Sequence, residues 1–280
     1  MALKFIYSDP EIPIMEAETR EKNSFLLIVF IIVIIVVLAF VVYYSLMEMR
    51  SPAKKMAEIS AKYGLANYEK SKLPKSITSD STFLSLFKDD AYLQSRVLMA
   101  ETDSVYLTIN LSERVINIEI SGVVVHSTAI SEFEASKLIT DGDEFTITSL
   151  LSAPMTIESD TSSIAKVPFV MKIAPKDTSE YKPDAIPDTA FYEPVNYIFE
   201  TDRGIKIIVY QSEEIIQGDS NDRFMFDLRH RLIITLAAMK DIISFKVPEY
   251  QPFIKIKIPS ADAKIIYRAI PKHGQIAVYL

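Results

Sequence analysis

Cysteine is absent from this chain of 280 residues. That excludes disulfides, thiolate catalysis and thiolate-bound metals, and it leaves the compartment open, because a chain without thiols suits either side of a membrane. Histidine is confined to His126, His230 and His273. No two of these are close in sequence, so no histidine-based metal site is indicated. The chain has six glycines, and neither Gly-x-Gly-x-x-Gly nor Gly-x-x-x-x-Gly-Lys occurs. A phosphate-cradling loop is therefore missing, nucleotide chemistry is unsupported and no cofactor is expected. An excess of positive charge is lacking too. The net charge is -7, whereas nucleic-acid binding draws on a basic surface that releases counterions. No nucleic-acid partner is expected.

What is present begins with a long apolar run. Phe25 to Val42, FLLIVFIIVIIVVLAFVV, carries no charged or polar side chain and continues into Tyr43 and Tyr44. At a rise of about 1.5 Å per residue, about 20 residues cross a hydrocarbon core of roughly 30 Å. The aromatic pair suits the water interface. A buried helix of a soluble domain is seldom apolar on every face. The preceding tail is acidic and no Ala-x-Ala-like site follows, so the run reads as a permanent anchor rather than a cleaved signal. It has no Gly-xxx-Gly face and no polar residue that would mark helix pairing or an ion path. Lys4, Arg20 and Lys22 precede it, and Arg50, Lys54, Lys55 and Lys62 follow. Counted naively, these charges place the large C-terminal part in the cytoplasm, although long domains translocate largely regardless of such counts.

The organisation expected is a tail over 1–23, a transmembrane helix over 24–46, a juxtamembrane helix and linker over 47–82, and a domain over 83–280. Ser51 and Pro52 read as N-cap and first position of a solvated stalk helix that stops at Gly64. A helix is expected over Asp90 to Glu101, with Tyr92, Leu93, Val97 and Met99 on its apolar side. The period then changes to two, and SVYLTIN, RVINIEI and SGVVVHSTAIS predict an antiparallel three-strand meander. EASKLIT reads as one or two helical turns, and GDEFTITSLL and VPFVMKIA read as strands. VNYIFETDRGIKIIVYQ reads as a hairpin around Asp202-Arg203-Gly204. Asn221 to Phe245 is the longest soluble helix signal, with Phe224, Leu228, Leu232, Leu236 and Met239 on one stripe. FIKIKIPSADAKIIYRAIPKHGQIAVYL, from Phe253 to Leu280, reads as strand, short helix and strand.

Two of these stretches resemble the L,D-transpeptidase (YkuD) catalytic domain. LTINLSERVINIEISGVVVHSTAIS is similar to its opening: a turn at Asn110-Leu111-Ser112, the basic Arg114, the Gly122 turn and the closing Ser131. The end of the chain is similar to its last strand-helix-strand unit, with the Asp262-Ala263 pair in place. The family's Thr-Pro-x-Gly turn has no counterpart. The resemblance covers roughly Val105 to Leu280 and implies a mainly β fold with a few helices, a β-sandwich or pseudobarrel, preceded here by the single transmembrane helix. It also implies placement outside the cytoplasm, anchored in a bacterial inner membrane by one span, because that family works on the cell wall.

The family's reaction needs a thiolate nucleophile and a histidine to take its proton. Aligned on Asp262-Ala263, Lys255 stands where the cysteine would be and Lys257 near the family's arginine, with no His-Gly before them. A lysine nucleophile requires burial or a neighbouring cation. The simpler reading gives Ile254, Ile256 and Ile258 the buried face and Lys255 and Lys257 the wet one. Ser131 and His126 are five residues apart on opposite strand faces and cannot meet. Asp89-Asp90 and Glu213-Glu214 are adjacent, so their side chains diverge. The expectation is a catalytically inactive domain that binds peptidoglycan stem peptides, with Lys255 and Lys257 pairing to their carboxylates. The alternative is a structural scaffold of an envelope complex, docking a protein through the Asn221 to Phe245 helix or the Val195 to Tyr210 hairpin.

Overall fold

A computed structural model describes residues 15–64, 80–166, 193–213 and 218–280. VPFVMKIA, expected as a strand, lies outside the described residues. Helix α1 spans Met15–Tyr63 without a break, Pro52 included. Its apolar run is exposed along its length, and the helix is long and apolar enough to cross a membrane.

The expectation of a separate stalk helix capped by Ser51 is corrected here. Proline inside a helix removes one backbone hydrogen bond and crowds the preceding turn. Tertiary contacts hold this helix together across that defect. The Ser51 hydroxyl donates to the Pro248 carbonyl at 2.7 Å. Ile59 is 5% exposed and belongs to the main core, with Met56 and Tyr63 packed against it. The Arg203 guanidinium lies 5.7 Å from the Tyr63 ring centre. The juxtamembrane half of α1 is thus docked on the domain.

Helix α2, Ser81–Ala100, starts earlier than the apolar pattern suggests. Asp80 caps it, its carboxylate accepting the Thr82 and Phe83 N–H groups at 2.7 and 3.3 Å. Leu84, Ala91, Ser95 and Met99 form its buried stripe, while Leu93 and Val97 face outward. The meander follows as β1 (Val105–Asn110), β2 (Val115–Ile120) and β3 (Val123–Ala129), antiparallel as expected. Strand β4, Glu132–Ala135, and the short helix α3, Lys137–Thr140, come next.

GDEFTITSLL is not a strand: Glu144–Leu151 is helix α4. Alternation of Phe145 and Ile147 with threonine imitates a strand, and β-branched residues favour one. Two features override that preference. The Asp143 carboxylate caps the Thr146 N–H at 2.9 Å, and every residue from Phe145 to Leu151 is buried.

The remaining elements are β5 (Met155–Ser162), β6 (Asn196–Thr201), β7 (Lys206–Gln211), helix α5 (Asp219–Ile243), β8 (Phe253–Ile258), helix α6 (Ser260–Ala269) and β9 (Gln275–Tyr279). All nine described strands join one mixed sheet in the order β3-β2-β1-β9-β5-β6-β7-β8-β4. The β1–β9 and β7–β8 pairs are parallel, and the others are antiparallel. Strand β5 bridges the two halves, its first two residues pairing with β9 and the rest with β6. The two edge strands, β3 and β4, are separated by only Ile130 and Ser131. The Ile130 N–H reaches the Arg114 carbonyl at 2.8 Å, and the Ser131 N–H reaches the Lys257 carbonyl at 2.9 Å. One short piece of chain thus touches both ends of the sheet.

One face of the sheet forms the main core. Leu107, Ile118, Ile157, Phe199, Ile207, Ile254, Ile256 and Val278 all belong to it. This is the period-two pattern made physical, since alternate residues share a face. On the opposite face α2 covers Tyr106 and Ala277 through Met99, and Phe226 of α5 packs on Ile198, Ile208 and Tyr210.

Candidate functional site

Strand β8 carries the two lysines singled out by sequence, and its pleat places them as expected. Ile254, Ile256 and Ile258 are fully buried, and the lysine side chains alternate to the other face. Register then decides their chemistry. Edge strand β4 pairs Glu134 with Lys255 and Glu132 with Lys257. Each lysine meets the carboxylate opposite it: Lys255 Nζ to Glu134 Oε2 at 3.2 Å, and Lys257 Nζ to Glu132 Oε2 at 2.6 Å. The hydrogen bond and charge of Lys257 hold the Glu132 carboxyl below the usual range. The Phe253 ring lies 4.6 Å from the Lys255 ammonium. A patch that reads as basic in sequence is charge-balanced in the fold, and Lys255 has a carboxylate rather than a cation as its near neighbour.

The three histidines lie in different parts of the fold. His126 on β3 faces Asp262 on α6, Nε2 to Oδ1 at 3.0 Å, and the Thr128 hydroxyl donates to the other Asp262 oxygen at 2.6 Å. This tie joins an edge strand to the helix after β8. In the sequence Asp262 serves only to align the terminal unit, so the contact is not visible there. His273 meets the Ile157 carbonyl at 3.3 Å. His230 on α5 lies 3.4 Å from the Lys206 ammonium, which binds Glu200 at 2.6 Å. Burial, reinforced by the Lys206 charge, pushes the His230 pKa down. Burial also opposes ionisation of Glu200, but hydrogen bonds from Lys206 and Ser159 outweigh it and keep that carboxyl below its ordinary value. Among the described residues no group of His, Asp and Glu could hold a metal ion.

Sequence reasoning also missed a buried carboxylate. Glu119, fully buried on β2, accepts from Arg96 of α2 at 3.1 Å, from the Thr108 hydroxyl at 2.7 Å and from the Tyr106 hydroxyl at 3.2 Å. Tyr106 in turn accepts the Gly122 N–H at 3.0 Å. The available signal was an acidic residue inside a strand facing a long helix that carries one arginine. The network is closed on itself, and it fastens α2 to the sheet.

Between the juxtamembrane part of α1 and the β6–β7 turn lies a cleft of about 420 Å³, lined among others by Lys55, Lys62, Glu158, Asp202 and Arg203. Charges of both signs alternate around it, so no class of ligand is singled out.

The surface that stands apart is on α5. Its first part is fixed to the sheet, the Tyr210 hydroxyl donating to Asp227 at 2.6 Å. Farther on, every residue from Arg231 to Ala237 is exposed, so nearly two turns of helix stand clear of the sheet. Of the expected stripe, Leu232 is 54% and Leu236 65% exposed. Helix packing normally buries such a stripe, and among the described residues nothing covers these two. The β6–β7 hairpin, the other expected contact surface, is instead interior: its strands are almost wholly buried in the sheet and under α5.

Comparison with models of known protein families, with curated proteins and with solved structures gave no match.

Proposed function

We propose that this chain is a membrane-anchored, non-catalytic docking subunit of a bacterial cell-envelope assembly. In this reading α1 crosses the inner membrane once, and the domain, taken as a degenerate L,D-transpeptidase-like pseudobarrel, works outside the cytoplasm. The observation that carries the proposal is the uncovered apolar stretch of α5. Exposed apolar residues scattered singly need no explanation, but a contiguous group marks an interaction surface. An amphipathic helix offered at i, i+3 and i+4 positions is a familiar docking element. Leu232 and Leu236 are four apart, Ile233 and Leu236 three apart, and all are exposed. The partner that fits is a protein with an apolar membrane-proximal surface.

Binding of peptidoglycan stem peptides through Lys255 and Lys257 has one observation in its favour, since both side chains leave β8 on the same outward face. The glutamates opposite them already satisfy the charge that a stem-peptide carboxylate would need. Docking is therefore the better-supported reading.

A photoreactive residue placed at Leu232 or Leu236 of the anchored protein is expected to yield one discrete protein adduct. Ile233→Glu puts a charge in the middle of the same surface and should abolish that adduct. The same probe at Leu93 should give none. Equal labelling at all three positions would sink the docking reading. Salt-sensitive pelleting of the protein with cell-wall sacculi, lost on Lys255→Glu/Lys257→Glu, would restore the stem-peptide reading in its place.

A further inference from the structure

Helix α5 runs past the sheet toward the end of the apolar run of α1. Three contacts fix its direction. Asp219 meets Gln211 at 3.2 Å, Asp227 meets Tyr210 at 2.6 Å and His230 meets Lys206 at 3.4 Å. The helix therefore descends antiparallel to β7, from its last residue to its first. The lengths agree: residues 219 to 230 rise about 16 Å as helix, and residues 206 to 211 span about 16 Å as strand.

At the Lys206 end the domain touches α1. A Cβ on Gly204 would lie 3.6 Å from Lys55 Nζ, and Lys55 pairs with Glu249 at 3.1 Å. From there Tyr43 is about 18 Å back along α1, and Phe245 is about 22 Å onward from His230 along α5 and its terminal turn. The two ends meet, with the Tyr43 and Phe245 ring centres 6.2 Å apart, edge to face. Ala238 and Ile242 are buried on the way, and the returning segment is pinned to α1 by the Ser51–Pro248 hydrogen bond.

The tip itself is odd for a soluble loop. Phe245 is 83% exposed and takes a positive φ of 57°. A bulky residue in the left-handed region is strained. Ile243 beside it is also exposed, and Lys240 and Lys246 flank the pair, with Asp241 and Glu249 the acids closest in sequence. Apolar groups rimmed by lysine are what a helix end needs at a headgroup boundary.

We propose that the tip of α5, Ile243 and Phe245 with Lys246, sits in the boundary between lipid headgroups and acyl chains beside Tyr43. The domain then has a second membrane contact that does not span. Leu236, about 13 Å higher along the helix, stays above the headgroups and free for a protein. This rests on α1 spanning the membrane. The tip and the span together hold the domain at one angle to the bilayer, whereas a single helix would leave it free to swing.

The chain has no tryptophan, so single-tryptophan variants report one position each. The full-length protein is placed in vesicles of phosphatidylcholine and phosphatidylglycerol carrying brominated lipids labelled near the headgroup or deep in the chain. Phe30→Trp reports the span, and Phe245→Trp and Ile243→Trp report the tip. Leu93→Trp is the reference, next to Tyr92, which packs on Tyr279 with ring centres 5.3 Å apart. The expected result is deep quenching at Phe30→Trp, blue-shifted emission with shallow quenching at both tip positions, and neither at Leu93→Trp. Tip variants that behave like Leu93→Trp while Phe30→Trp is quenched overturn the tip contact and leave the anchor standing. No quenching at Phe30→Trp overturns the anchor and the tip contact together.

Discussion

At the scale of single residues, buried charge decides more than exposed charge. Glu119 is held by one cation and two hydroxyls in a place water does not reach. Removing one partner of a buried pair leaves the other uncompensated, a loss of about 3–5 kcal/mol where the pair is well desolvated. Arg96 keeps partial contact with solvent, so Arg96→Met should cost less, about 2 kcal/mol. Denaturant midpoints of the detergent-solubilised protein measure it, and an unchanged midpoint would show the network to be idle. His230 supplies the pH-dependent counterpart. Its folded pKa lies below the ordinary 6.5, through burial first and the Lys206 charge second. The unfolded chain therefore takes up a proton before the folded one does. Stability from this group is intact above pH 6.5 and falls as pH drops through the window between that value and the lower folded one. His230→Gln should flatten the stability profile across that window while the slope at lower pH, set by groups such as Glu200, persists. An identical slope in the variant would contradict this.

At the scale of elements, local chemistry and tertiary burial each set boundaries. Threonine alternation makes Glu144–Leu151 read as a strand, and the cap at Asp143 is the local clue that points the other way. Asp143→Ala should therefore cost about 1 kcal/mol through the lost cap, measured as a lower unfolding midpoint. The continuity of α1 through Pro52 has no local clue at all, since a serine before a proline ordinarily starts a helix. It follows from a hydrogen bond to Pro248, far away in the chain. Ser51→Ala should leave the buried Pro248 carbonyl without its donor, a loss of about 1–3 kcal/mol. It should also raise amide exchange in 246–250 more than in β8, and uniform exchange would argue against a clamp there.

At the scale of the whole molecule, helix α1 and the sheet domain are packed together. Ile59, Met56 and Tyr63 of α1 complete the main core, so the long helix that carries the apolar run is also a structural element of the sheet domain. A chain begun at residue 80 should be measurably less stable than one begun at residue 47, because the Ile59 site is left open to water. Burial of such a side chain is worth about 1.5–3 kcal/mol. Thermal unfolding of the two chains compares them directly, and equal midpoints would show the docking to be decorative.

The sequence by itself determined the apolar span, the meander, the β6–β7 hairpin, the long α5 helix and the terminal strand-helix-strand unit. Each is written in a local period, and burial of one face enforces that period whatever lies opposite. It also determined that Lys255 and Lys257 share an outward face, because the pleat alone sets that. What lies across from them was decided by strand order. Glu132 and Glu134 reach the lysines only because edge strand β4 pairs with β8, and no local pattern encodes that register. The same holds for His126 with Asp262 and for the uncovered stripe of α5. An apolar stripe in sequence states that a face can be buried, and only the tertiary structure decides whether the chain buries it or leaves it for something else.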